Sequence, residues 1–118
     1  SQGFDGVIHL IGDESHLPYD RPPLSKQVLA GDWEPDRVAL TSPAKNDELS
    51  FEWHLGTRAT ELNISESKVL LDSGHTISFD GAIIATGARC ISLRMAGDLK
   101  GIYTLRGLDD AMAIRSEF

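Results

Sequence analysis

Apolar residues along this chain cluster in short runs, and the spacing within each run predicts its structure. Val7, Ile8, Leu10 and Ile11 form a nearly continuous apolar stretch, broken only by His9 and stopped by Gly12, Asp13 and Glu14. A run of this kind fits a strand buried on both faces, as in a parallel sheet. DGAIIATG, residues 80–87, reads as a second buried strand that ends at a glycine. Between them, FEWHL, TRATELNI, KVLL and HTISF alternate with turn-forming residues and predict a small antiparallel β-meander over about 51–79. GIYTLR, residues 101–106, has the character of one more short strand.

Helical signals lie elsewhere. In LPYDRPPLSK, residues 17–26, three prolines rule out a long regular element, but Pro22 and Pro23 can open a helix. About two turns follow, with Leu24 and Val28 on one face and Gly31 as the stop. Residues 32–40 read as irregular. TSPAKNDEL, residues 41–49, predicts a short helix capped by Ser42 with Pro43 in its first position. LDDAMAIRSEF, residues 108–118, predicts a helix that aligns Leu108, Met112 and Arg115. Strands mixed with helices place the chain in the α/β class.

Length and composition narrow the field. The chain has 118 residues, 41% of them hydrophobic and 25% charged, the balance of one globular domain. No apolar run approaches the roughly 20 residues that cross a bilayer. The formal charge of -7 disfavours nucleic acid and anionic membrane as partners, since both select clustered Lys and Arg. Cys90 is the only cysteine, so neither an internal disulfide nor a dithiol redox pair is available. His9, His16, His54 and His75 are scattered and form no HExxH-like set, so no metal site is expected.

Four strings carry candidate chemistry, and each also has a plain structural reading. Asp13 and Glu14 close a strand, where a carboxylate can accept hydrogen bonds from ribose hydroxyls; acidic residues also close many strands without a ligand. In residues 17–26 the prolines stiffen the backbone, and the Arg21 fork suits a phosphate or a ring face. Lys26 is turned roughly 200° from Leu24 on a helix, so it leaves the buried face free to meet a ligand, or simply water. Ala85, Thr86, Gly87 and Ala88 are small enough to let backbone approach a flat or phosphate-bearing ligand. Arg106 stands between an apolar segment and a helix start, free to meet a cofactor or to pair with Asp109 or Asp110.

Together, GFDGVIHLIGDE, LPYDRPPLSK, DSGHTISFDGAIIATGAR and YTLRGLDDA occur in the order and spacing of a known family. Over nearly its whole length the chain resembles the oxygenase-coupled ferredoxin reductases, which include the putidaredoxin, rubredoxin and biphenyl-dioxygenase types. The resemblance implies a Rossmann-like FAD/NAD(P)-binding domain, here incomplete, and a parent flavoprotein that is an FAD-dependent NAD(P)H:ferredoxin reductase. Electrons would pass from NAD(P)H through FAD to a 2Fe-2S ferredoxin or a rubredoxin in the cytoplasm.

By motif match, the resemblance makes Asp13 or Glu14 a ribose contact, and lays Arg21 and Lys26 along the FAD with Lys26 near the isoalloxazine. It assigns backbone contacts with the adenine to Ala59, in GTRATEL. Thr86 and Gly87 would approach the cofactor and Arg106 would close over it. No catalytic side chain and no metal ligand is implied. Cys90 departs from the proline usual after ATGAR.

Measured against the family, the first strand with its G-x-G-x-x-G turn, the NAD(P)H domain and the C-terminal domain fall outside these residues. The stretch alone is therefore expected to be inactive, with exposed sheet edges that favour a homo-oligomer. The alternative is a stand-alone, cofactor-free remnant that acts as an oligomerising or interaction module. NADH and NADPH are not distinguished by these residues, nor is the electron acceptor.

Overall fold

The computed structural model describes residues 5–40, 51–91 and 99–118. The chain forms two compact units, Ser1–Pro18 with Thr41–Ile84, and Tyr19–Leu40 with Ala85–Phe118.

In the first unit the apolar run forms strand β1, Ile8–Ile11, which pairs in parallel with β2, Phe51–His54. Ile8 lies opposite Phe51, His9 opposite Glu52, Leu10 opposite Trp53 and Ile11 opposite His54. Alternation then gives each face its own chemistry. Ile8, Leu10, Phe51 and Trp53 share one face, where the Phe51 and Trp53 rings meet edge to face at 5.6 Å. His9, Ile11, Glu52 and His54 share the other. Past the ladder, the Gly12 amide donates to His54 O at 3.1 Å, Thr57 N to Gly12 O at 2.9 Å and Gly56 N to Glu14 O at 2.9 Å. These bonds hold the loop after β1 against the loop after β2.

The rest of this unit is a meander of β3, Ala59–Asn63, β4, Lys68–Leu71, and β5, Thr76–Ser78, all antiparallel. Asn63 builds the first turn: its Oδ1 accepts from Ser65 Oγ at 2.8 Å and from Glu66 N at 3.0 Å. The expected meander over 51–79 is therefore corrected at its first segment. Phe51–His54 pairs in parallel with β1 and forms a sheet separate from the meander.

The second unit holds a hydrophobic core of Leu24, Val28, Val38, Leu108 and Ala111, with Tyr19, Trp33, Leu105 and Met112 packed around it. Val28 is fully enclosed, and burying a side chain of this size contributes about 1.5–3 kcal/mol. The expected face of Leu24 and Val28 is thus the buried one. The segment that carries it is not a regular helix, however. A 3-10 turn, Pro22–Ser25, ends at Lys26, whose backbone (φ -128°, ψ -100°) leaves helical geometry. Wide turns follow, with Val28 N bonded to Pro23 O and Leu29 N to Leu24 O. Gly31 stops the segment as expected, at φ +82°. A second 3-10 turn, Pro35–Val38, buries Val38 within the stretch read as irregular.

Helix α1, Leu108–Arg115, buries Leu108 and Ala111 in this core. Asp109 and Asp110 in its first turn and Arg115 in its last suit the helix dipole. Arg115 also donates to Glu34 at 2.9 Å.

Two expected strands do not form. Residues 81–91 are exposed, with Ile83 95% and Ile91 91% accessible. Residues 101–106 likewise take no strand pairing. A strand exists through its ladder, and among the described residues nothing pairs with either segment. The expected helix at 41–49 lies outside the described residues.

Candidate cofactor site

In the second unit three distant strings converge. The Tyr19 hydroxyl accepts a hydrogen bond from the Leu108 amide at 3.0 Å, filling one of the open donor positions at the start of α1. The same oxygen accepts from Arg21 Nη1 at 3.2 Å, and the Arg21 guanidinium stands 5.0 Å from the Tyr19 ring centroid. Arg21 Nη1 also donates to the Arg106 carbonyl at 2.9 Å. The backbone of Arg106 is fixed from its other side. Its amide and that of Gly107 both donate to Asp110 Oδ2 at 2.8 Å, the third helical residue reaching back to the helix start.

Gly87 completes the cluster. Its φ of +66° lies in the left-handed region that favours glycine, and a Cβ placed there would stand 2.7 Å from an Arg106 guanidinium nitrogen. The Arg106 side chain therefore rests in space that only glycine leaves open. Asp110 holds the Arg106 backbone, and the Arg106 guanidinium extends over Gly87. Beside it, Thr86 is exposed in the 81–91 segment. Lys26 is exposed, whereas Leu24 and Val28 are buried. Cys90 donates through Sγ to Leu105 O at 3.5 Å.

The other predicted residues belong to the first unit. Asp13 is exposed and forms an ion pair with Arg58 at 2.9 Å. Glu14 is half-buried and accepts the Gly56 amide at its carbonyl. Ala59 is exposed at the start of β3, where the pairing with β4 is irregular between Ala59 and Glu61. Arg58 thus stands between two predicted contacts. Sequence reasoning named neither Tyr19 nor Arg58. Tyr19 had a usable signal, lying two residues from Arg21 in the same string; Arg58 did not, because its partner Asp13 is 45 positions away.

Comparison with known proteins bears on this arrangement. The family model described as pyridine nucleotide-disulphide oxidoreductase matches residues 1–118. The chain belongs to this family. Among curated relatives it is 43% identical over 118 residues to the ferredoxin--NAD(+) reductase component of a biphenyl dioxygenase system from Paraburkholderia xenovorans (strain LB400), covering 98% of this chain and 28% of the relative. To putidaredoxin reductase from Pseudomonas putida it is 32% identical, covering 99% of this chain and 29% of that protein.

The solved covalent putidaredoxin reductase–putidaredoxin complex superposes with a TM-score of 0.90 at 32% identity, over 98% of this chain and 28% of that one. NADH:rubredoxin oxidoreductase from Clostridium acetobutylicum gives 0.80 at 28% identity, over 93% of this chain and 29% of that one. The chain thus spans under a third of the length of the relatives it matches. The α/β, Rossmann-like reading holds, with the antiparallel meander reduced to three strands. Among the described residues no helix is long and apolar enough to cross a membrane.

Proposed function

We propose that this chain supplies part of the FAD-binding surface of a flavoprotein oxidoreductase that carries electrons from NAD(P)H to a 2Fe-2S ferredoxin or a rubredoxin. The observation that carries this reading is the contact of Arg106 with both Arg21 and Gly87. The Arg21 guanidinium reaches the Arg106 carbonyl while the Arg106 guanidinium lies over Gly87, and two arginines set together beside small residues fit a large anionic, flat-ringed cofactor.

In the second unit Arg21 and Arg106 would hold the FAD by charge and by ring contact. Gly87 and Thr86 would let it approach closely, and Lys26 would present its ammonium to the flavin. In the first unit Asp13 or Glu14 would accept hydrogen bonds from ribose, with Ala59 giving backbone contacts. When bound, FAD supplies the redox chemistry. The protein's share is positioning: Asp110 fixes the Arg106 backbone, and Tyr19 orients Arg21.

The test is an anaerobic absorbance experiment. Protein reconstituted with FAD should show the visible flavin bands, and the Arg21→Ala, Arg106→Ala double variant should lose them while keeping its far-UV circular dichroism. A folded double variant with undiminished flavin content would contradict the assignment.

A second reading, a cofactor-free association module, rests on the exposure of Ile83, Ile84 and Ile91. It requires a folded oligomer in light scattering that takes up no FAD.

A further inference from the structure

On the polar face of the β1–β2 pair, three potential ligand atoms converge. His9 and Glu52 are direct partners in the parallel ladder, and His54 follows Glu52 by two residues on the same face. His9 Nδ1 lies 3.0 Å from His54 Nε2 and 3.3 Å from Glu52 Oε2. One ligand atom from each of the three residues lies within 4.8 Å of the other two. None of the three is among the proposed cofactor contacts.

We propose that His9, Glu52 and His54 form a site for a divalent transition metal, with zinc the best match. A hydrogen bond leaves this arrangement underused. A neutral imidazole nitrogen either carries one proton or offers one lone pair, so a proton at His9 Nδ1 serves mainly one of its two neighbours. A cation among the three atoms satisfies all of them at once.

The spacing is also right. Donors at zinc bond lengths of roughly 2.0–2.1 Å in tetrahedral geometry stand about 3.3–3.4 Å apart; two of the separations, 3.0 and 3.3 Å, lie close to this, and the third is within 4.8 Å, a span that a side-chain rotation can close. Two imidazoles and one carboxylate form the borderline nitrogen and oxygen set that zinc accepts, with copper and nickel as competitors. Three protein ligands leave one position open to water or a further ligand.

The backbone favours the arrangement as well. Ladder pairing fixes His9 against Glu52, the Gly12 amide pins the His54 carbonyl at 3.1 Å, and Phe51 packs on Trp53 across the opposite face. The site is open to entry, since the side chain of His9 is 29% exposed and that of Glu52 59%.

The experiment uses the full chain, stripped by a chelator and titrated with cobalt(II) as a spectroscopic probe and then with zinc(II). One equivalent of cobalt should produce visible bands of a four- or five-coordinate site, and zinc should displace it. His54→Gln, which keeps a hydrogen-bonding side chain, should weaken binding ~100-fold, since even partners outside the ligand layer cost ~10–100-fold. Glu52→Gln, at an exposed position that should leave folding intact, should weaken it ~10-fold or more. His75→Gln, in the turn between β4 and β5, should change nothing. Failure of the unaltered chain to bind one equivalent would overturn the proposal, as would full-strength binding in Glu52→Gln.

Discussion

The hydroxyl of Tyr19 caps helix α1 by accepting the Leu108 amide at 3.0 Å, across 89 positions of sequence. The same oxygen receives Arg21, so one side chain starts a helix and orients a proposed cofactor ligand. Tyr19→Phe removes only that oxygen. Because it leaves the helix-start amide unpartnered and Arg21 with one bond fewer, it should cost about 1–2 kcal/mol in denaturant unfolding. It should also weaken FAD binding more than an equally destabilising core change does.

Gly87→Ala separates strain from contact. The left-handed φ of +66° costs a non-glycine residue roughly 1–2 kcal/mol. The new methyl also meets the Arg106 guanidinium, which is flexible enough to swing away. Stability should therefore fall by about the conformational cost alone, whereas flavin affinity should fall further, because Arg106 leaves its place. Equal losses in the two measurements would argue against a cofactor role for that contact.

Val28→Ala tests the core of the second unit. Removing two methyl groups from a fully enclosed position should destabilise by about 2 kcal/mol, from lost burial and the space left behind. The same unit carries Arg21 and Arg106, so urea midpoints followed by circular dichroism and by flavin release should shift together.

Arg58→Ala provides the contrast. Its bond with Asp13 joins two exposed side chains, 68% and 56% accessible, and such pairs contribute no more than about 1 kcal/mol. Thermal melting should move little, and less still at high salt. If Asp13 accepts hydrogen bonds from ribose, freeing it from Arg58 should alter FAD affinity far more than it alters stability.

Much of the local architecture was legible in the residues because its causes are local. The apolar run at 7–11, the buried face of Leu24 and Val28, the stop at Gly31 and the helix at 108–115 follow from periodicity and backbone preference. Pairing was less legible. Phe51–His54 has strand character in any sheet, and only its partner decides between a meander and a parallel ladder. Residues 81–91 show the same limit from the other side, since their apolar pattern acquires no ladder among the described residues.

The candidate site divides along similar lines. The residue types at Arg21, Gly87 and Arg106 pointed to a cofactor, but their convergence depends on the bonds of Arg21 to the Arg106 carbonyl and of the Leu108 amide to Tyr19, across 85 and 89 positions, which have no short-range signature. The histidines appeared scattered because spacing along the chain hides a ladder that brings His9 within reach of His54.

The central claim is that these residues make a surface for FAD, and thermal melting with and without the cofactor tests it most directly. A ligand held only by the folded state, at about 100 times its dissociation constant, stabilises by about 2.7 kcal/mol. For a chain of this size that corresponds to a rise on the order of 10 °C. The account predicts such a rise for the unaltered protein and its loss in the Arg21→Ala, Arg106→Ala variant. A melting temperature that FAD leaves unmoved would contradict it.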